Sequence, residues 1–70
     1  MSNDLGQAVD DFYQGRSTPP EVIKMIGIAL LREQQGRTSE QIGIELDLPS
    51  ERAKELVIRA KGWELSRANG

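Results

Sequence analysis

The sequence contains no cysteine and no histidine among its 70 residues. Without cysteine the chain can form neither disulfide bonds nor thiolate metal sites. Without histidine it also lacks the commonest general base at neutral pH and the commonest metal ligand. The remaining residues show no nucleophile spaced to pair with a base. We therefore expect a protein that is not an enzyme and that binds no cofactor and no metal.

Long apolar runs and an excess of positive charge are also missing. No apolar run approaches the roughly 20 residues that cross a bilayer, and the opening MSNDLGQ lacks the basic and apolar segments of a secretory signal. We therefore expect a cytoplasmic protein with no membrane partner.

The formal net charge of −2 disfavours nucleic acid as a partner, because phosphate contacts supply much of the affinity. A locally positive face would offset this charge.

Helical spacing of apolar residues runs through most of the chain. It predicts an all-α fold, a small bundle of about four helices in one compact domain. Residues 1–16 hold a first helix over about 3–15, capped by Asn3 or Asp4 and ended by Gly15. This acidic helix is predicted to pack on the core, to form a dimer contact or to bind a protein partner. Residues 17–65 form a helix-turn-helix domain, and residues 66–70 form a frayed tail.

The most apolar of the predicted helices runs from about Pro20 to Gln35. Thr18, two prolines and Glu21 are typical of a helix start, with Thr18 as the cap. Apolar residues go nearly all the way round this helix, so it needs neighbours on two sides or a dimer partner on one of them. Gly36 is well placed to end it.

Residues 38–60 predict two short helices joined by a tight turn. Thr38 and Gln41 match a capping box at the start of the first helix, and Asp47 occupies the turn, where a positive φ is often required. Gly43 lies where a side chain would keep the two helices apart. Such a pair can present its second helix to the major groove of DNA. The apolar spacing assigns the core of this pair to Ile42, Gly43, Leu46, Leu48, Ala53 and Leu56.

The last helix is predicted to begin at Pro49 and Ser50 and to run to about Lys61, with Gly62 as its stop. Trp63, the only tryptophan, is expected to close the core, because so large an apolar ring is rarely left exposed. Stacking on a ligand is the alternative.

The outer surface of the last helix carries the candidate DNA-binding residues. Arg52 is expected to bind guanine, and Glu51 or Glu55 to accept a hydrogen bond from cytosine. The other cations are placed for phosphates, as are the amides at the start of the preceding helix. The full set is Arg37, Thr38, Ser39, Ser50, Glu51, Arg52, Lys54, Glu55, Arg59 and Lys61.

The competing interpretation is a solvated charged face. Residues 37–61 contain five basic and five acidic residues, and Glu51 with Lys54, or Glu55 with Arg59, are spaced to pair along one helix. Ile58 is an apolar residue on the expected outer side, where it would contact a thymine methyl group, support a dimer or simply be exposed.

The run TSEQIGIELDLPSERA resembles the helix-turn-helix of region 4 in bacterial sigma factors, and PPEVIKMIGIALLR is similar to the helix before it there. The pattern also resembles response-regulator and repressor helix-turn-helix domains. The resemblance covers residues 19–61, 43 of the 70. It implies that Ser50, Glu51, Arg52 and Lys54 read bases, as the equivalent helix reads the −35 promoter element. The residues that carry the resemblance are Thr38, Ile42-Gly43, Glu45-Leu46, Leu48 and Glu51-Arg52. The chain departs from the family's pattern in the turn, where Asp47 stands in place of the usual glycine.

Two functions follow from these patterns. The first is a small DNA-binding transcriptional regulator of bacterial or phage type, which binds double-stranded DNA as a homodimer because one helix-turn-helix buries little surface. The second is a protein-interaction module that keeps the same fold and binds RNA polymerase or another regulator. The balanced charge and the acidic first helix favour the second.

Overall fold

The computed structural model describes residues 4–69, which form four α-helices with no strand among them. In chain order these are α1 (Leu5–Tyr13), α2 (Pro20–Gln34), α3 (Ser39–Leu46) and α4 (Ser50–Asn69). The predicted all-α bundle is therefore confirmed. Both α2 and α4 contact each of the other described helices, so the expectation that α2 needs neighbours on two sides is also confirmed. Within residues 4–69, no helix is both long and apolar enough to cross a membrane.

Most of the predicted helix ends are confirmed by the caps. The Asp4 side chain accepts a hydrogen bond from the amide of Gln7, at 3.3 Å, at the start of α1; Asn3 lies outside the described residues. Gly15 and Gly36 follow α1 and α2 with φ of +79° and +84°, the left-handed conformation that glycine adopts without steric cost.

The predicted cap of α2 is wrong. Pro19, not Thr18, is the N-cap residue, and no side chain caps this helix. The Thr18 hydroxyl instead donates to the carbonyl oxygen of Arg16 at 3.1 Å. The two prolines already fix φ near the helical value at the start of α2, which leaves Thr18 one residue before the cap.

The core lies where α4 meets the other helices. It consists of small and medium-sized apolar side chains, and Leu46 and Leu48 of the predicted set are only half-buried at its edge. The predicted central residues Ile42, Ala53 and Leu56 are fully enclosed, with at most 1% of their surface exposed. The buried apolar residues are Val9, Ile26, Ala29, Ile42, Ala53, Leu56, Val57 and Ala60, and the glycines Gly6 and Gly43 are also buried.

The last helix does not stop at Gly62, as the sequence predicts, but continues to Asn69. Residues 66–69, expected to fray, form its final turn, while Gly70 lies outside the described residues. A glycine inside a helix costs only about 1 kcal/mol, and the residues that follow Gly62 make contacts with α1 that offset this cost.

These contacts centre on Trp63, which is half-buried against the core as predicted. Its ring stacks on Tyr13 with centroids 5.8 Å apart, and its indole N–H donates to Oδ1 of Asp10 at 2.8 Å. The Tyr13 hydroxyl donates to Oε2 of Glu64 at 2.8 Å. Burial, and then this hydrogen bond to the Glu64 carboxylate, raise the pKa of Tyr13 to about 12. The packing role predicted for α1 is therefore confirmed.

Candidate nucleic-acid interface

The start of α4 is positioned by the three-residue turn, 47–49, that joins it to α3. Asp47 takes the predicted left-handed conformation, with φ 59°, and the amide of Leu48 donates to the carbonyl oxygen of Gly43 at 2.7 Å. A Cβ atom on Gly43 would lie only 2.6 Å from the carbonyl oxygen of Leu48. The absence of that atom lets the turn lie against α3, which gives α4 its direction.

An ion pair joins α2 to α3, the helix that precedes the turn. The Arg32 guanidinium donates through Nε to Oε1 of Glu45 at 2.8 Å and through Nη2 to Oε2 at 3.0 Å. This two-pronged hydrogen bond holds the pKa of Glu45 below its usual value and raises the pKa of Arg32. The two residues are 13 positions apart, so no local spacing in the sequence indicates the pair.

The first two turns of α4 present the candidate base-reading residues to solvent. Ala53 and Leu56 hold the opposite side of these turns in the core. The exposed surface has mixed charge, with two carboxylates beside two cations, so these two turns do not form a positive face. The exposed candidates here are Ser50, Glu51, Arg52, Lys54 and Glu55.

The structure does not bring the five basic candidates onto one face. Nη1 of Arg59 lies 3.6 Å from Oδ2 of Asp10 on α1, and the guanidinium lies so close to Gly6 that a Cβ atom there would be 2.7 Å from Nη2. Nζ of Lys61 instead lies 3.0 Å from Oε2 of Glu33 on α2. Arg59 and Lys61 point about 200° apart around α4, so each binds a different helix of the bundle.

The predicted capping box at the start of α3 is confirmed, and it occupies one of the amides assigned to phosphate. The amide of Thr38 donates to Oε1 of Gln41 at 3.0 Å, and the amide of Gln41 donates to Oγ1 of Thr38 at 3.2 Å. Ser39 is half-buried, whereas Arg37 is exposed just before the cap. Of this group, Arg37 is the exposed residue that lies outside the capping box.

Two large apolar side chains are exposed on one side of α4, and the sequence analysis indicates only one of them. Ile58 and Leu65 are 59% and 62% exposed, and Gly62 lies between them on the same side of α4. Ile58 was expected on the outer side, but Leu65 was missed because the helix was predicted to end before it. The seven-residue spacing from Ile58 was the signal that would have indicated it.

No family model, curated protein or solved structure matches this chain. The likeness to sigma region 4 therefore stays a prediction made from the residues themselves.

Proposed function

We propose that this chain is a DNA-binding transcriptional regulator that inserts the first two turns of α4 into the major groove. The observation that carries the proposal is the arrangement of those turns. Ser50, Glu51 and Arg52 are exposed at the start of a long helix, and the close contact between Gly43 and Leu48 holds that helix against α3. In helix-turn-helix proteins, this part of the second helix reaches the base edges.

The structure supports a smaller contact set than the one expected from the sequence. Arg52 is assigned to guanine, and Glu51 or Glu55 to cytosine. Lys54 and Arg37 are assigned to phosphates. Arg59 and Lys61 are left out, because they lie beyond the first two turns of α4 and their side chains reach toward α1 and α2. So few phosphate contacts give weak binding by one copy, which favours a dimer on a palindromic site.

The second candidate is a protein-interaction module that binds RNA polymerase or another regulator. The specific observation in its favour is the mixed charge of the α4 surface, where Glu51 and Glu55 lie beside Lys54. Two carboxylates at the start of α4 repel phosphates unless they meet base edges, whereas a protein partner accommodates them with its own cations.

The test is binding of the chain to a random duplex at about 50 mM salt, followed by a salt titration and by selection of bound sequences from a random pool. We expect Arg52→Ala to weaken binding to the selected site by about 1–3 kcal/mol and to relax the preference at one base pair. Arg16→Ala is the matched control, since Arg16 lies exposed between α1 and α2, beside Asp11. Absence of binding at low salt would favour the protein-interaction module instead.

A further inference from the structure

A groove opens to solvent between α1, the first two turns of α2 and the start of α4. Its volume of about 590 Å³ is within the roughly 300–1,000 Å³ of sites that hold ligands. Half-buried apolar side chains from α1, α2 and the turn before α4 line it. They are Leu5, Ala8, Val22, Met25 and Leu48. The groove therefore offers apolar surface to side chains from outside the bundle.

The polar residues of this groove are mainly acidic. Asp4, Gln7 and Asp11 follow one another along one side of α1, and Glu21 is exposed in the first turn of α2. Among the described residues, Arg52 is the one cation that lines the groove. Three carboxylates and one guanidinium give the lining a net charge of −2, as large as the charge of the whole chain.

Two of these carboxylates already have partners within the protein. Asp4 accepts a hydrogen bond from the amide of Gln7. Asp11 accepts one from the side chain of Gln7 at 3.0 Å and lies 3.5 Å from the guanidinium of Arg16. Within residues 4–69, the side chain of Glu21 forms neither a hydrogen bond nor an ion pair. Glu21 is therefore the carboxylate that a cation from outside meets without a competing cation.

We propose that this groove binds a segment of another protein in which apolar side chains are flanked by lysine or arginine. The apolar side chains of the segment cover Val22, Met25 and Leu48, and its cations lie beside Glu21 and the carboxylates of α1. Met25 suits such a site, because its unbranched side chain adapts to neighbours of different shape. Nucleic acid or an anionic lipid surface would bring phosphates to the same carboxylates, which repel them.

Three peptides of equal length test this proposal, in titrations followed by the amide NMR shifts of the whole chain. The peptide KLLKALKK has both features of the proposed segment. KSSKASKK keeps its charge but lacks its large apolar side chains, and ELLEALEE reverses its charge. The groove is much smaller than a stable protein–protein interface of roughly 1,200 Å², so KLLKALKK should bind weakly, with a Kd of about 0.1–1 mM.

The shifts report where the peptide binds. We expect KLLKALKK to move the amide signals of Ala8, Met25 and Leu48, and the other two peptides to bind at least tenfold more weakly. Ile44, which is 81% exposed on α3, is the internal control, and its signal should stay in place. Shifts centred outside the groove, or equal binding by either of the other peptides, would overturn the site.

Glu21→Lys tests the contribution of charge. It should weaken the binding of KLLKALKK at least threefold, because it places a cation at the edge of the groove. Glu40→Lys is the matched control, since Glu40 is also exposed in the first turn of a helix, α3, but does not line the groove. Circular dichroism checks that both variants fold. Equal affinities of the two variants would overturn the charge complementarity on which the choice of partner depends.

Sedimentation equilibrium without peptide distinguishes another occupant. Self-association that Glu21→Lys abolishes and Glu40→Lys leaves intact would mean that the groove holds a second copy of this chain, which would overturn the proposed partner. The groove does not depend on the proposed function. Failure to bind DNA with an unchanged peptide titration would overturn that function alone, whereas DNA binding by a chain that binds none of the peptides would overturn the groove alone.

Discussion

At Gly43 the backbone of α3 passes close to the turn that leads into α4. A Cβ atom there would lie 2.6 Å from a backbone oxygen, that of Leu48, which cannot rotate away. We expect Gly43→Ala to lower the free energy of unfolding by about 1–3 kcal/mol, the usual cost of overpacking. Urea unfolding followed by Trp63 fluorescence measures this change.

Gly27→Ala is the matched control at the residue scale. Gly27 is exposed within α2, and a Cβ atom on it would meet nothing within 4 Å. The same substitution should therefore raise the stability, by up to about 1 kcal/mol, because alanine is the better helix former. Equal effects of the two substitutions would show that the close approach at Gly43 does not position the turn.

At the scale of the elements, α2 and α3 are joined by the ion pair of Arg32 and Glu45. Because the hydrogen bond from Arg32 lowers the pKa of Glu45 in the folded state, the pair stabilises the fold above the ordinary glutamate pKa. That contribution is lost as the pH falls through the ordinary value, about 4.3, toward the lower folded value. We expect Glu45→Gln to remove this part of the acid dependence of the melting temperature.

Thermal melts at pH 7 and near pH 3 measure the effect. Glu55→Gln, at an exposed glutamate on α4, is the control and should leave the acid dependence close to that of the unsubstituted chain. An identical loss of melting temperature between the two pH values in Glu45→Gln and the unsubstituted chain would mean that the pair adds nothing to stability in solution.

At the scale of the whole molecule, α4 packs against every other described helix, so the bundle should unfold in one step. Leu56 lies on α4 with none of its surface exposed. We expect Leu56→Ala to lower the free energy of unfolding by about 2–5 kcal/mol, most of what a core of this size supplies. Circular dichroism and Trp63 fluorescence should report one transition. Ile44→Ala, at an exposed site, should change little, and two separate transitions would contradict the single step.

Local chemistry made much of the fold predictable. The caps at Asp4 and Thr38, the glycines after α1 and α2, and the left-handed Asp47 depend on neighbours within a few positions in the chain. The predicted stop at Gly62 failed because its cost is about 1 kcal/mol, and the stacking of Trp63 on Tyr13 outweighs it. That contact joins residues 50 positions apart, beyond the reach of local rules.

The candidate site, too, was predictable from the sequence only in part. Helical period alone determined that Ser50, Glu51 and Arg52 face outward, because Ala53 and Leu56 must face the core. Only the tertiary structure decided where the long cations go: Arg59 turns to Asp10, and Lys61 to Glu33. The backbone period sets the direction in which a side chain leaves its helix, but the charges that it meets belong to helices whose placement depends on how the whole core packs.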